Sequence, residues 1–257
     1  MRLLPHHKTE AERTGSMTLM EHLQELRYRI VVCLYAIAGG AVVGWFLYDR
    51  ALNLALNPFC EWVASLPKDQ RPPTGCRLTY TGLLDSMLIK LKVVAFVGLL
   101  VALPVLLYQL WAFIVPGLTS KEKKYSIPFI VSSVLLFGLG VVFAIVTLPK
   151  ALNFLLGFGG SDFVPLITGK SYLSFVVLVA VAFGVSFLFP VILVFLELVG
   201  VLSTRVLRNV RRWAILGIAI FAAVITPSSD PYTMLAMMIP MVLFYEAAII
   251  IGRMLKR

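Results

Sequence analysis

Two glutamates stand just ahead of long apolar runs, each among cations. Glu25 lies in EHLQELRYRI (21–30) with Arg29 four residues on, and Glu122 lies in LTSKEKKYS (118–126) among Lys121, Lys123 and Lys124. A carboxylate accepts a guanidinium through two parallel N–H···O bonds, a fork that an ammonium cannot present. Two carboxylates on one face would therefore suit a ligand carrying paired arginines. Simpler roles fit the same residues. Glu25 and Arg29 stand in the favourable i,i+4 order, worth about 0.2–0.5 kcal/mol on a helix. Thr119-Ser120-Lys121-Glu122 has the form of a helix capping box. Spacing alone leaves both kinds of role open.

Two further acids, Glu197 and Glu246, fall at the end of one apolar run and inside another. An ionisable group there is a candidate for function. Glu197 fits an interfacial position, and Glu246 lies near enough to its helix end to snorkel. Glu246 is retained as a possible intramembrane functional acid.

No other constellation carries chemistry. There is no Walker loop, no G-x-G-x-x-G after a strand and no H-E-x-x-H. His6, His7 and His22 crowd the N-terminus, and the His6-His7 pair is too short and too terminal for a metal site. The Ser/Lys, paired-Asp or zinc set of a membrane protease is missing. No catalytic residue, cofactor or metal is expected. Ionisable residues in the runs are too few for a proton relay, and no matched pair of broken helices marks a transporter repeat.

These residues need elements to position them. The chain has 257 residues, 60% of them hydrophobic and 14% charged; soluble domains have about 45–50% and 25%. The excess comes in six runs, at 30–48, 93–115, 127–149, 171–196, 213–227 and 232–251. Backbone groups in lipid must be satisfied within the segment, so such runs are helices. The expected fold is all-α, a polytopic membrane protein with six transmembrane helices and a concave bundle. The alternating strands of a barrel are absent. A cleaved signal peptide fits the first run poorly, because that run begins late and is too long. The last two spans read as short: 213–227 gives about 22 Å of helix against a hydrocarbon core of about 30 Å. Pro104 and Pro190 lie well inside their runs and should bend them, favouring a concave face.

Lys and Arg are distributed unevenly across the flanks. Fifteen fall on the side holding both termini and six on the other, or eight if Lys90 and Lys92 are included. The positive-inside rule places both termini in the cytoplasm. The net charge of +10 is then mostly a topology signal and calls for no nucleic acid. Residues 1–17 read as a mobile cytoplasmic N-terminus, and 18–257 as a single membrane domain. Thr18-Leu19-Met20-Glu21 fits a capping box opening an amphipathic helix that runs into the first span. The first outer segment, 49–86, holds Pro58, Pro67, Pro72 and Pro73 and is expected to form a folded, partly irregular cap. Cys60 and Cys76 both fall in it. They are either a bridge, worth about 3 kcal/mol for a loop of that size, or two unrelated thiols.

EHLQELRYRI (21–30), LPVLLYQLWAFIVPGLTSKEKKYSIP (103–128), YLSFVVLVAVAFGVSF (172–187) and TPSSDPYTMLAMMIP (226–240) together resemble the TatC family, the multispanning core of the twin-arginine protein translocase. The resemblance runs from about Leu19 to the C-terminus. It implies a receptor, not an enzyme, for signal peptides with consecutive arginines on folded cargo. Such a subunit works within a multimeric complex in the cytoplasmic membrane of a prokaryote and is driven by the proton-motive force. It implies that Glu25 and Glu122 form the twin-Arg site and that Arg27, after the E-L pair, positions them. It matches Pro58 to a proline of the family's first outer cap. It also implies single-span partners, TatA and TatB, contacted through an acid in F-G-x-x-F-E-x-P and a glutamine near the start of the last helix. Here those positions are Leu188, in FGVSFLFP, and Met234, after one extra residue in the turn. Both departures put polar docking at that face in doubt. Ser186 and Thr226 are nearby but carry no carboxylate. A small-solute or ion transporter is the competing function, and a scaffold in which Glu25 and Glu122 only cap helices is a third.

Overall fold

The computed structural model describes residues 19–67, 71–72, 74–114, 126–157, 166–226 and 230–254. Residues 1–17, the Thr18 cap and Glu122 lie outside them. Eight helices occur among the described residues: α1 (Leu19–Ser65), α2 (Asp85–Ile114), α3 (Ser126–Gly157), α4 (Gly169–Phe187), α5 (Phe189–Leu198), α6 (Thr204–Asn209), α7 (Arg211–Ile225) and α8 (Pro231–Met254). Five segments are long and apolar enough to cross a membrane, with α4 and α5 counted together as one. α7 supplies the sixth crossing, with 15 residues or about 22 Å. The shortness expected of the last pair is concentrated there, since α8 has 24 residues, about 36 Å.

The largest departure from expectation is in α1. It continues through 49–65, assigned above to an outer cap, and carries Pro58 inside it. A proline removes one backbone bond, and burial compensates. Phe59, Trp62 and Val63 on this extension are all buried, and Phe59 packs on Tyr172 of α4 with ring centroids 5.3 Å apart. Irregular chain begins only after Ser65. A disulfide joins Cys60 on α1 to Cys76 beyond it, with Cα atoms 5.0 Å apart. The same end is tied to α4 by the Gly169 N–H donating to Thr79 O at 2.8 Å and by Lys170 to Asp85 at 3.6 Å.

The span expected at 171–196 is broken at Leu188, which ends α4 and opens α5. Pro190 falls in the first turn of α5, where a missing N–H is harmless. Pro104 is carried inside α2 without interrupting it.

Small residues set the helix approaches. A Cβ built on Gly98 of α2 would lie 2.7 Å from Ala41 N, and one on Gly40 of α1 would lie 2.3 Å from Gly98 O. Only glycine permits that backbone contact, as is common between helices in lipid. Gly140 of α3 is pressed in the same way against Phe183 O of α4, at 2.6 Å from its would-be Cβ.

Two apolar cores result. One, around Trp62, Leu148, Tyr172 and Leu173, joins α1–α4 at the end away from the chain termini. The other, around Phe183, Met237, Met241 and Tyr245, joins α3, α4, α5, α7 and α8. α1 rests chiefly on α2 and also on α3, α3 rests chiefly on α4, and α8 packs on both α5 and α7, so the helices form one bundle. Phe46, Val146 and Val224 point outward from it, each more than two-thirds exposed, as lipid-facing side chains do.

Candidate functional site: a carboxylate clamped at one end of the bundle

The start of α1, the ends of α2, α5 and α8, and the starts of α3 and α7 share one end of the bundle. An aromatic cluster pins three of these termini. Trp111 of α2 meets Phe129 of α3 at 5.1 Å and Phe195 of α5 at 4.6 Å between centroids. This fixes the last turn of α2 just before the segment that carries Glu122.

Glu25 sits against that turn through Arg29. Arg29 Nε donates to Glu25 Oε1 at 3.1 Å, and Nη2 binds the same oxygen. Nη1 donates to Gln109 Oε1 at 3.1 Å and Nη2 to Ala112 O at 2.9 Å. One guanidinium therefore ties the acid on α1 to a side chain and a carbonyl on α2, using the fork geometry that arginine supplies. The expected i,i+4 pair is present and is also a link between helices. Glu25 Oε2 is buried and has no hydrogen-bond partner among the described residues. A buried carboxylate oxygen without a donor is costly.

Arg27 lies two residues from Glu25 and is exposed. A two-residue step turns a helix by more than half a revolution, so Arg27 does not share the Glu25 face. Gln109 is the residue that sequence reasoning missed; it sits in the quoted block 103–128 but carries no charge to draw notice.

The other candidates are engaged elsewhere. Glu246 of α8 takes both oxygens to Nε and Nη2 of Arg211 at the start of α7. Glu197 is 2% exposed. Its Oε1 accepts from Thr204 Oγ1 at 3.1 Å, its Oε2 is buried with no hydrogen-bond partner among the described residues, and its carboxylate lies over Gly252, where a Cβ would meet Oε1 at 2.4 Å. Leu188 and Met234 are half-buried and pack on the same core cluster. Ser186 and Thr226 are buried, and each donates to the carbonyl four residues back at 2.7 Å. Both hydroxyls are thus satisfied locally, and the carboxylate beside Met234 is that of Asp230, which is buried and accepts from the Thr233 N–H at 2.8 Å.

An all-helical polytopic membrane protein with a half-open acidic clamp at one end is the class these features define. The family model for TatC, the Sec-independent protein translocase protein, matches residues 21–240. The chain is 42% identical to the TatC of Frankia casuarinae, over 96% of this chain and 68% of that protein. It is 34% identical to the TatC of Aquifex aeolicus, over 94% of this chain and 97% of that one. A crystal structure of the twin-arginine translocase receptor TatC superposes with a TM-score of 0.73 at 34% identity, covering 92% of this chain and all of that one. The chain belongs to the TatC family, and it is an integral membrane subunit of a protein translocase.

Proposed function

We propose that this subunit is the receptor for twin-arginine signal peptides, with Glu25 and Glu122 as the two acceptors. The observation that carries this is the divided state of Glu25. Oε1 is saturated by Arg29 and Oε2 is unmet. An arriving guanidinium would take Oε2, leaving the carboxylate bridged between two arginines. Arg29 already balances the charge of Glu25, so a pair of incoming arginines needs a second acid. Glu122, ten residues beyond Ala112 in sequence, is the acid that can supply it. The lysines beside Glu122 would repel basic peptides that cannot make the bidentate contact, which favours selectivity. The positioning role expected of Arg27 falls instead to Arg29, which holds Glu25 against α2, while Arg27 is exposed on another face of α1.

On this reading the clamp faces the cytoplasm of a prokaryotic cell, as the excess of Lys and Arg at that end indicates, and the subunit performs no catalysis. Single-span subunits of the TatA and TatB type would dock on apolar packing around Leu188 and Met234, and the proton-motive force would drive transport by the assembled complex. The test is binding of a synthetic twin-Arg signal peptide to the protein in nanodiscs. Wild type should bind, Glu25→Ala and Glu122→Ala should each bind at least about tenfold more weakly, and a Lys-Lys peptide should bind weakly to all three. Equal binding of both peptides to all three proteins would refute it.

A further inference from the structure

The charge of the Glu25 clamp is already balanced. One guanidinium, that of Arg29, meets one carboxylate, that of Glu25, and the two side chains are only 17% and 22% exposed. The other hydrogen-bond partners of Arg29 are neutral: Nη1 donates to Gln109 Oε1 at 3.1 Å and Nη2 to Ala112 O at 2.9 Å. No further ion pair reaches either residue among the described residues.

Gln109 is the member of this arrangement whose chemistry sets that balance. It is half-buried near the end of α2, and Ala112, three residues on, shares its face. Tyr108 and Leu110 on either side are exposed, and the ring contacts of Trp111 hold this turn in place. An amide oxygen accepts from Arg29 as a carboxylate oxygen would, and it adds no charge. A carboxylate at 109 would compete with Glu25 for the guanidinium and leave the cluster net negative. The difference bears on selectivity. An ammonium and a guanidinium each carry one positive charge, so Coulomb attraction draws both, and strongly away from bulk water. Only the fork of hydrogen bonds separates them. Where charge is balanced, a generic cation gains little, and geometry decides what is held at Glu25 Oε2, the oxygen with no partner among the described residues.

We propose that Gln109 determines the specificity of the clamp: as a neutral acceptor it holds Arg29 between α1 and α2 without adding charge, so the site tells arginine from lysine by hydrogen-bond geometry. This rests on the receptor reading above and adds to it a positioning residue that acts on the ligand through Arg29 and Glu25.

The experiment is binding of Arg-Arg and Lys-Lys signal peptides to the full chain in nanodiscs, for wild type, Gln109→Glu and Gln109→Leu, with a melting curve for each. The ratio of the two affinities is the readout, since loss of folded protein lowers both alike. Gln109→Glu keeps the shape and the acceptor and adds the charge. It should bind the Lys-Lys peptide about tenfold more tightly than wild type does, and the ratio should narrow. Gln109→Leu removes the acceptor. It should weaken the Arg-Arg peptide by about tenfold and leave Lys-Lys near its wild-type value. Either variant tests the proposal alone should the other not fold. A wild type that discriminates, with the ratio unmoved in a folded variant, would overturn this inference and leave the receptor reading standing. A wild type that binds both peptides alike would remove both.

Discussion

Arg29 reaches Glu25 on its own helix and Ala112 O on the next, so a single guanidinium decides where the acid stands. Lysine would keep the charge but could not span Glu25, Gln109 and the carbonyl together. Arg29→Lys should therefore leave the protein folded and lower twin-Arg peptide affinity by about tenfold. Isothermal titration in nanodiscs, beside a thermal melt, separates the two effects.

The α1–α2 contact depends on the absence of side chains at Gly40 and Gly98. Gly98→Ala places a Cβ 2.7 Å from Ala41 N, against backbone that cannot swing aside. It should destabilise the bundle by about 1–3 kcal/mol, read as a lower melting temperature in detergent. Gly39→Ala, where a Cβ meets nothing within 4 Å, is the control and should be near neutral.

Glu197 and Gly252 are coupled by contact. Gly252→Ala drives a methyl into the Glu197 carboxylate and the Thr204 hydroxyl, so it should destabilise on its own. In a Glu197→Ala background the penalty should shrink, because two of the three obstructing oxygens are gone. A double-mutant cycle on unfolding should give a coupling of roughly 0.5–3 kcal/mol, and strict additivity would contradict the packing described.

Glu246 and Arg211 form a pair whose arginine side chain is 55% exposed. Exposed pairs contribute about 0–1 kcal/mol. Glu246→Gln should shift the melting temperature little and leave peptide binding unchanged, which would assign Glu246 to structure. A large loss of transport with normal binding and stability would instead restore it as a functional acid.

The Cys60–Cys76 bridge closes a loop with a sequence separation of 16 and holds the end of α1 against the irregular chain after it. Removing it by Cys76→Ser should cost about 3 kcal/mol, measured as a lower thermal midpoint under non-reducing conditions. The reduced wild type should match the variant.

Much of the fold was legible because lipid simplifies the code. Uncharged runs of about 20 residues have to be helices, and five of the six runs coincide with such segments. Proline misled at Pro58: it breaks helices in water, but here buried Phe59 and Trp62 carry the helix past it. Pro190 was a better guide, since the chain divides beside it at Leu188. The Glu25–Arg29 pair was one of the roles that the i,i+4 spacing allowed. Its ties to Gln109 and Ala112 did not follow from spacing, because they join positions some 80 residues apart that no periodicity relates. The same holds for the Glu197–Gly252 contact and for the Arg211–Glu246 pair, which only the packing of α8 brings together.

The central claim is that Glu25 receives an arginine of the signal peptide. A double-mutant cycle tests it most directly, pairing Glu25→Gln with Arg→Gln at each arginine of the peptide and measuring affinity in nanodiscs. The clamp predicts a coupling of about 1.5 kcal/mol or more with one of the two arginines. Additivity within about 0.5 kcal/mol for both arginines would mean that Glu25 and the signal never meet, and that its half-open carboxylate serves only the junction of α1 and α2.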